Sequence, residues 1–393
     1  MKKDDLVAQR SSRVWLNSES CDLEEFKKLI DRKAKPEDYP FAAAIEKNVP
    51  IYDGANIRKI AEDQDGRKAV MAEWAEAFLS GPGIVVFKNA TTDMEALDKM
   101  SAGFSGIIAE QHASGKSSGD HFAKPGANDR IWNALEKIAL RDPDCFARYY
   151  ANEMIAMVSQ SWLGLGYQIT SQVNVVNPGG QAQSMHRDYH MGFQTAEQIA
   201  TFPAHAHLLV PALTLQGAIA HCDMPIETGP TLYLPFSQTY ASGYFAYARP
   251  EFQTYFTAHH VQLPLAKGDM VFFNPALFHA AGTNVTKDVR RMANLLQVSS
   301  AYGRAMELVD RAKISAALFP VLQKLKFGAS TLSNILAACA EGYAFPTNLD
   351  RDPPIGGLAP ESQAALMRRA LSESWTLEKF QTALNTQGQK KLT

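Results

Sequence analysis

Between residues 169 and 302 the chain is a succession of short apolar or alternating runs, ITSQVNVVN, HAHLLVPALTLQGAIAHC, TLYLP, HHVQLPL, DMVFFN and RRMANLLQVSSAY, divided by Gly- and Pro-containing turns. Runs of this length, rich in β-branched and aromatic residues, suit the pleated surface of a sheet. The stretch therefore predicts a compact antiparallel β domain. On either side the pattern turns helical. LEEFKKLIDRKA and DGRKAVMAEWAEAFLS, separated by KPEDYPFAAAIEKNVPIYDG, space their apolar residues for helices, as do AMELVDRAKISAALFPVLQKL and PESQAALMRRALSESWTLEKFQTALN further on. After the GPG turn, IVVFKN over residues 84–89 reads as a buried strand, and Asp93 as the N-cap of a helix through DMEALDKMSAGFSGIIAEQ. The expected organisation is a helical extension over 1–80, a β domain with a helical insert over 81–302, and a second helical extension over 303–393. Residues 112–130, HASGKSSGDHFAKPGANDR, are rich in Gly, Ser and Lys and read as a lid loop.

The β segment carries a metal-binding pattern. In QSMHRDYHMGF, His186 and Asp188 lie two residues apart, and the period of a strand turns both side chains to one face. A third ligand is His279, 93 residues beyond His186, at the end of the apolar strand KGDMVFFNPALFH. Two histidines and one carboxylate form a facial triad that leaves metal positions open, as an iron(II) oxygenase requires. The plain alternative for the HxD pair is a strand-end His bonded to its neighbouring Asp; the later His and the Arg that follows it favour the metal. Arg290 comes 11 residues after His279 at the start of the next apolar strand. Its planar guanidinium matches the distal carboxylate of 2-oxoglutarate, whose 2-oxo acid end would chelate the iron. Arg291 points to the opposite face and reads as a solvated charge, but a register shift of one residue would exchange the two. Because position 188 is Asp, and not Ala or Gly, no vacancy is left for a halide, so hydroxylation or a related oxidation is expected over halogenation.

These residues resemble the phytanoyl-CoA dioxygenase family of iron and 2-oxoglutarate oxygenases. The resemblance spans roughly residues 81–302 and rests on GIVVFKN, HRD, ETGPTLYLPFSQT, GDMVFFNPALFH and the His279-to-Arg290 spacing. It implies a double-stranded β-helix, a jelly-roll barrel flanked here by helices, with the triad at its mouth. It also implies that Gln183 and Thr231 contact 2-oxoglutarate, where the plain readings are a polar loop residue and a strand-start hydroxyl. Two departures concern the surroundings of the triad. Pro235, Phe236, Ser237 and Gln238 stand where the family often has PGSH, and Ala281 stands where a small hydroxyl residue often follows the distal His.

Other histidines read as structural. His190 shares the strand phase of the ligands unless the chain bends after Asp188, and Tyr189 and Phe193 are pocket-wall candidates. His205 and His207 mimic the HxH of a cupin metal site, but Pro211 and Ala212 stand where its glutamate would follow. His259 and His260 precede a strand. His121, with Lys116, Lys124 and Arg130, belongs to the lid loop.

A net charge of -2 gives no reason to expect nucleic-acid or anionic-membrane partners, and the four scattered cysteines have no zinc or disulfide spacing. No signal peptide core or membrane span is evident, so a soluble cytoplasmic protein is expected. The reading is a dioxygenase using Fe(II), 2-oxoglutarate and O2 to oxidise a C–H bond of a small molecule, a secondary metabolite or small acid, with release of succinate and CO2. The alternatives are an acyl-CoA hydroxylase, a barrel kept for a binding role, and a zinc hydrolase, which would leave the Arg unexplained. Nothing in the sequence sets the oligomeric state.

Overall fold

The computed structural model describes residues 3–115 and 126–392. The proposed lid residues His121, Lys116 and Lys124 lie outside the described residues. Eleven strands are found among those described: β1 (Ala44–Glu46), β2 (Val49–Asp53), β3 (Ile84–Lys88), β4 (Asn128–Ile131), β5 (Gln168–Val176), β6 (Thr214–Ala220), β7 (Leu232–Leu234), β8 (Val261–Gln262), β9 (Met270–Phe273), β10 (Phe278–Ala280) and β11 (Arg291–Ser299). Eight form a large sheet in the order β1-β2-β3-β9-β6-β11-β5-β4, and three form a small one in the order β10-β7-β8. This is the flattened β-helix with flanking helices anticipated from the sequence.

By compactness the chain forms two units, one of Met1–Ala90, Ser118–Arg130 and Asn174–Leu295, the other of Thr91–Ser117, Ile131–Val173 and Leu296–Thr393. In the first unit the two sheets enclose an apolar core. Register builds it row by row: Ile51 lies opposite Val86, Val86 opposite Val271, and Val271 opposite Ala218, all on the inward face. The next row is Ile84, Phe273 and Gln216, which delivers a polar amide to an otherwise apolar face. Tyr233 of the small sheet closes the same core.

Three segments depart from expectation. Within 1–80, helices Leu23–Ile30 and Gln64–Leu79 form as expected, but the stretch between them is a hairpin. Lys47 and Asn48 take positive φ (50° and 68°) in a two-residue turn pairing Glu46 with Val49, a conformation that matches strand twist. Its second strand runs parallel to β3. The run HAHLLVPAL is a helix, Ala204–Ala212, and the strand begins only at Thr214. The run lacks alternation, and Pro211 would remove a ladder hydrogen bond from a central strand. HHVQLPL likewise starts as the end of the helix Pro250–His259 and gives only a two-residue strand.

The N-terminal segment is integral to the first unit. Phe26 is fully buried against Tyr240, Phe252 and Phe278, with ring centroids 5.2, 5.2 and 5.4 Å away. Phe26→Ala should cost about 3–5 kcal/mol of stability, measured by denaturant unfolding.

The second unit is mainly helical. Asp93 caps the helix Met94–Ala113 through the Ala96 N–H, as expected. Helices Arg311–Leu325, Ala329–Cys339, Gln363–Ser372 and Leu377–Lys390 follow residue 303, and the Phe319 and Phe380 rings stack 4.3 Å apart. All four cysteines are unpaired. No helix among the described residues is long and apolar enough to cross a membrane.

Candidate metal centre

Backbone pairing brings the three expected ligands together. The His186 N–H donates to the His279 carbonyl at 3.0 Å and the His279 N–H to that of His186 at 3.3 Å, so the HxD segment extends the small sheet beside β10. Two residues on, the Asp188 N–H donates to the Pro275 carbonyl at 3.1 Å. The side chains then converge. Asp188 Oδ1 is 3.8 Å from His186 Nε2, its Oδ2 is 3.5 Å from His279 Nε2, and one ligand atom from each residue lies within 4.8 Å of the others. His279 is buried, whereas His186 and Asp188 are half-buried and leave the centre an opening.

The ring orientations suit a cation. His186 Nδ1 lies 2.9 Å from the Ser184 carbonyl and His279 Nδ1 lies 2.7 Å from that of Leu277. A carbonyl only accepts, so each Nδ1 carries a proton and each Nε2 faces the shared point, where a metal ion would take the place of an Nε2 proton. Burial disfavours the Asp188 anion. The hydrogen bond with His279, the fields of both imidazoles and the Gln216 amide outweigh that penalty and hold the carboxyl well below its ordinary range. Two imidazoles and one carboxylate on one side of a point fit iron(II) and leave other positions free.

Gln216 is a partner that no spacing in the sequence singles out. Its Nε2 donates to Asp188 Oδ2 at 2.5 Å. Outer partners of this kind fix a ligand's orientation, so Gln216→Leu should weaken iron(II) binding about 10- to 100-fold in anaerobic titration. Tyr233, directly opposite His279 on β7, is the other inward residue found only in the structure. Burial raises its phenol pKa, while the Thr231 hydroxyl and the Arg291 guanidinium work against the rise.

The two arginines are placed opposite to the sequence expectation. Arg290 faces outward, 57% exposed, with Nη2 2.9 Å from Asp129 Oδ2 and Nε 3.1 Å from Asn177 Oδ1. Strand β11 begins one residue later, so the alternation that puts Ala293 in the barrel core puts Arg291 on the same inward face. Arg291 is buried. Its Nη1 donates to the Gly229 carbonyl at 2.5 Å, its Nε has no hydrogen-bond partner, and burial pushes its pKa down to about 10. Gly229 belongs to the ETGPT turn and needs its positive φ of 72°; a Cβ there would lie 2.5 Å from the Thr283 backbone.

Among the remaining candidates, Gln183 is half-buried and its N–H donates to the Ala281 carbonyl at 3.1 Å; Thr231 is half-buried just ahead of β7. Tyr189 and His190 take positive φ (63° and 36°) and open a 3-10 turn, so the strand phase ends at Asp188 and no longer carries His190. His205 is exposed. His207 is buried on a helix, its Nε2 3.2 Å from the Phe202 carbonyl. His259 and His260 turn their Nδ1 atoms to the carbonyls of Tyr255 and Phe256. In the departed PGSH turn, the Ser237 hydroxyl is buried and accepts the Phe278 N–H at 2.8 Å.

A β-helix with a His-Asp-His facial site defines a mononuclear non-haem iron oxygenase. Residues 67–292, more than half of the chain, match the model of the family described as phytanoyl-CoA dioxygenase (PhyH), and the chain belongs to that family. It is therefore a 2-oxoglutarate-dependent dioxygenase, with Fe(II), 2-oxoglutarate and O2 as its reactants and cofactors. Similar solved structures include the non-haem α-ketoglutarate dependent epimerase SnoN from nogalamycin biosynthesis, 19% identical over 59% of this chain and 82% of that one, with a TM-score of 0.41. AviO1 from Streptomyces viridochromogenes Tue57 is 18% identical over 60% of this chain and 97% of its own, with a TM-score of 0.43. EctD from S. alaskensis with bound Fe is 18% identical over 59% and 78%, also at 0.43. Comparison with curated proteins finds no match.

Proposed function

We propose that the protein hydroxylates an unactivated C–H bond of a small organic substrate in the cytoplasm, converting substrate, 2-oxoglutarate and O2 to the alcohol, succinate and CO2. The observation that carries this reading is the intact carboxylate ligand: Asp188 converges with both histidines, so all three protein positions of a hydroxylase site are filled. His186, Asp188 and His279 are the metal ligands. Iron(II) bearing 2-oxoglutarate supplies oxygen activation coupled to decarboxylation. The protein's part is to hold and orient. Each Nδ1-to-carbonyl contact fixes a ring, and Gln216 fixes the carboxylate.

For the distal carboxylate of 2-oxoglutarate we assign Arg291 in place of Arg290. A buried guanidinium with an unpartnered Nε, on the inward face near Tyr233 and Thr231, supports this choice. Arg290 is already engaged by Asp129. Thr231 and Gln183 are secondary contacts in the proposal. The test is succinate release: the purified protein is loaded anaerobically with iron(II) and 2-oxoglutarate, then given oxygen with candidate secondary metabolites, small acids and acyl-CoA esters. Stimulation by a free small molecule supports the reading. Stimulation confined to acyl-CoA esters would replace the substrate class, and no succinate with any compound or alone would sink the reading.

A further inference from the structure

The residue between the two HxD ligands is a cation in the protein interior. Arg187 is 3% exposed, and no carboxylate pairs with it among the described residues. Its Nη2 donates to the carbonyls of Ser237 (2.5 Å) and Tyr240 (3.1 Å), and its Nε has no hydrogen-bond partner. The guanidinium carbon lies 4.9 Å from the centroid of the Phe278 ring and 5.2 Å from that of Tyr244. An unpaired buried charge opposes folding, and an apolar side chain of similar volume would fill the same slot without that penalty. Three of these four contacts, however, lead back to a metal ligand. Phe278 immediately precedes His279, and its N–H is held by the Ser237 hydroxyl, on the residue whose carbonyl accepts from Arg187. Tyr244, whose ring faces the guanidinium, donates its hydroxyl to the Asp188 carbonyl at 3.3 Å. The surrounding backbone is shaped to admit the group. A Cβ on Gly243 would lie 1.9 Å from the guanidinium carbon, and one on Gly192 would lie 2.1 Å from the Arg187 carbonyl oxygen.

We infer that Arg187 is a positioning residue for the metal centre, a buried brace that locks the segment carrying His186 and Asp188 to the strand carrying His279. A planar group with rings against it and fixed carbonyls at its edge sets orientation as well as distance. The inference rests on the metal-site reading above. Its test uses Co(II) as the probe, added to the full chain without oxygen or 2-oxoglutarate, and reads both the affinity and the visible ligand-field spectrum. Arg187→Met should bind Co(II) at least about tenfold more weakly, with a shifted spectrum. Arg187→Lys, which keeps the charge and can still reach a carbonyl, should recover part of the loss. Gly243→Ala, which forces the guanidinium aside, should act in the same direction as Arg187→Met. In an Arg187→Ala background the added methyl has room and should change nothing further.

A folded Arg187→Met protein with the parent's Co(II) affinity and spectrum, however low its melting temperature, would overturn the inference and leave Arg187 a packing residue. Should that variant fail to fold, Gly243→Ala decides by the same two readings. A parent protein that binds no Co(II) would remove the metal-site reading itself, a result distinct from variants that match a metal-binding parent.

Discussion

Asp188→Ala should abolish tight iron(II) binding and succinate formation together. The carboxylate is the only anionic ligand of the His186, Asp188 and His279 group, and both imidazole Nε2 atoms are oriented toward it. Its removal leaves two neutral ligands and a cavity, so the loss should exceed the roughly 10- to 100-fold that removal of an outer partner costs. Equilibrium dialysis against iron(II) measures it. Protonation acts in the same sense as the mutation. The folded-state pKa of Asp188 is depressed, because its His and Gln neighbours outweigh burial. In the metal-free protein, the stability this group contributes is therefore complete above its unfolded value of about 4 and is lost as pH falls through the depressed folded value. Iron binding falls in the same direction, since protons compete for the carboxylate and the imidazoles.

Arg291→Met should remove most of the affinity for 2-oxoglutarate, whereas Arg290→Met should change it only a few-fold. Truncating one partner of a buried, hydrogen-bonded charge pair costs about 2–5 kcal/mol, a factor on the order of 30 to several thousand. Arg290, 57% exposed, is turned outward and held by the buried Asp129, so its loss removes no group proposed to touch 2-oxoglutarate. Anaerobic titration of the iron(II) protein with 2-oxoglutarate separates the two variants. The reverse result, with Arg290→Met crippling and Arg291→Met mild, would restore the anchor to the position that spacing alone suggests.

The difference between these neighbours shows how far the sequence reaches. His186 and Asp188 were legible because a period of two fixes which side chains share a face; His279 closes the apolar run KGDMVFFNPALFH, although that run is not one strand, since β9 stops at Phe273 and His279 lies on the separate strand β10 of the small sheet. Arg290 and Arg291 differ only in strand phase, and phase depends on where β11 begins after the THR-ASN-rich turn, a tertiary outcome that composition does not encode. Gln216 and Tyr233 face the site because β6 pairs with β9 and β7 with β10 in particular registers. Arg187 is invisible to any rule that expects charge outside. The segment 169–302 was readable as β, but the helix Ala204–Ala212 was not, since a continuous apolar run does not distinguish a buried strand from a helix. The hairpin at Lys47 and Asn48 was hidden because only one of its two turn residues is a common former of left-handed backbone.

His186, Asp188 and His279 are proposed to hold an iron that 2-oxoglutarate chelates. Anaerobic addition of iron(II) and 2-oxoglutarate to the purified protein tests it directly by absorption spectroscopy. The expected result is a visible charge-transfer band that requires both additions, is missing in Asp188→Ala, and decays on admission of oxygen as succinate forms. Absence of the band in the parent protein, with no succinate after oxygen is admitted, would contradict it.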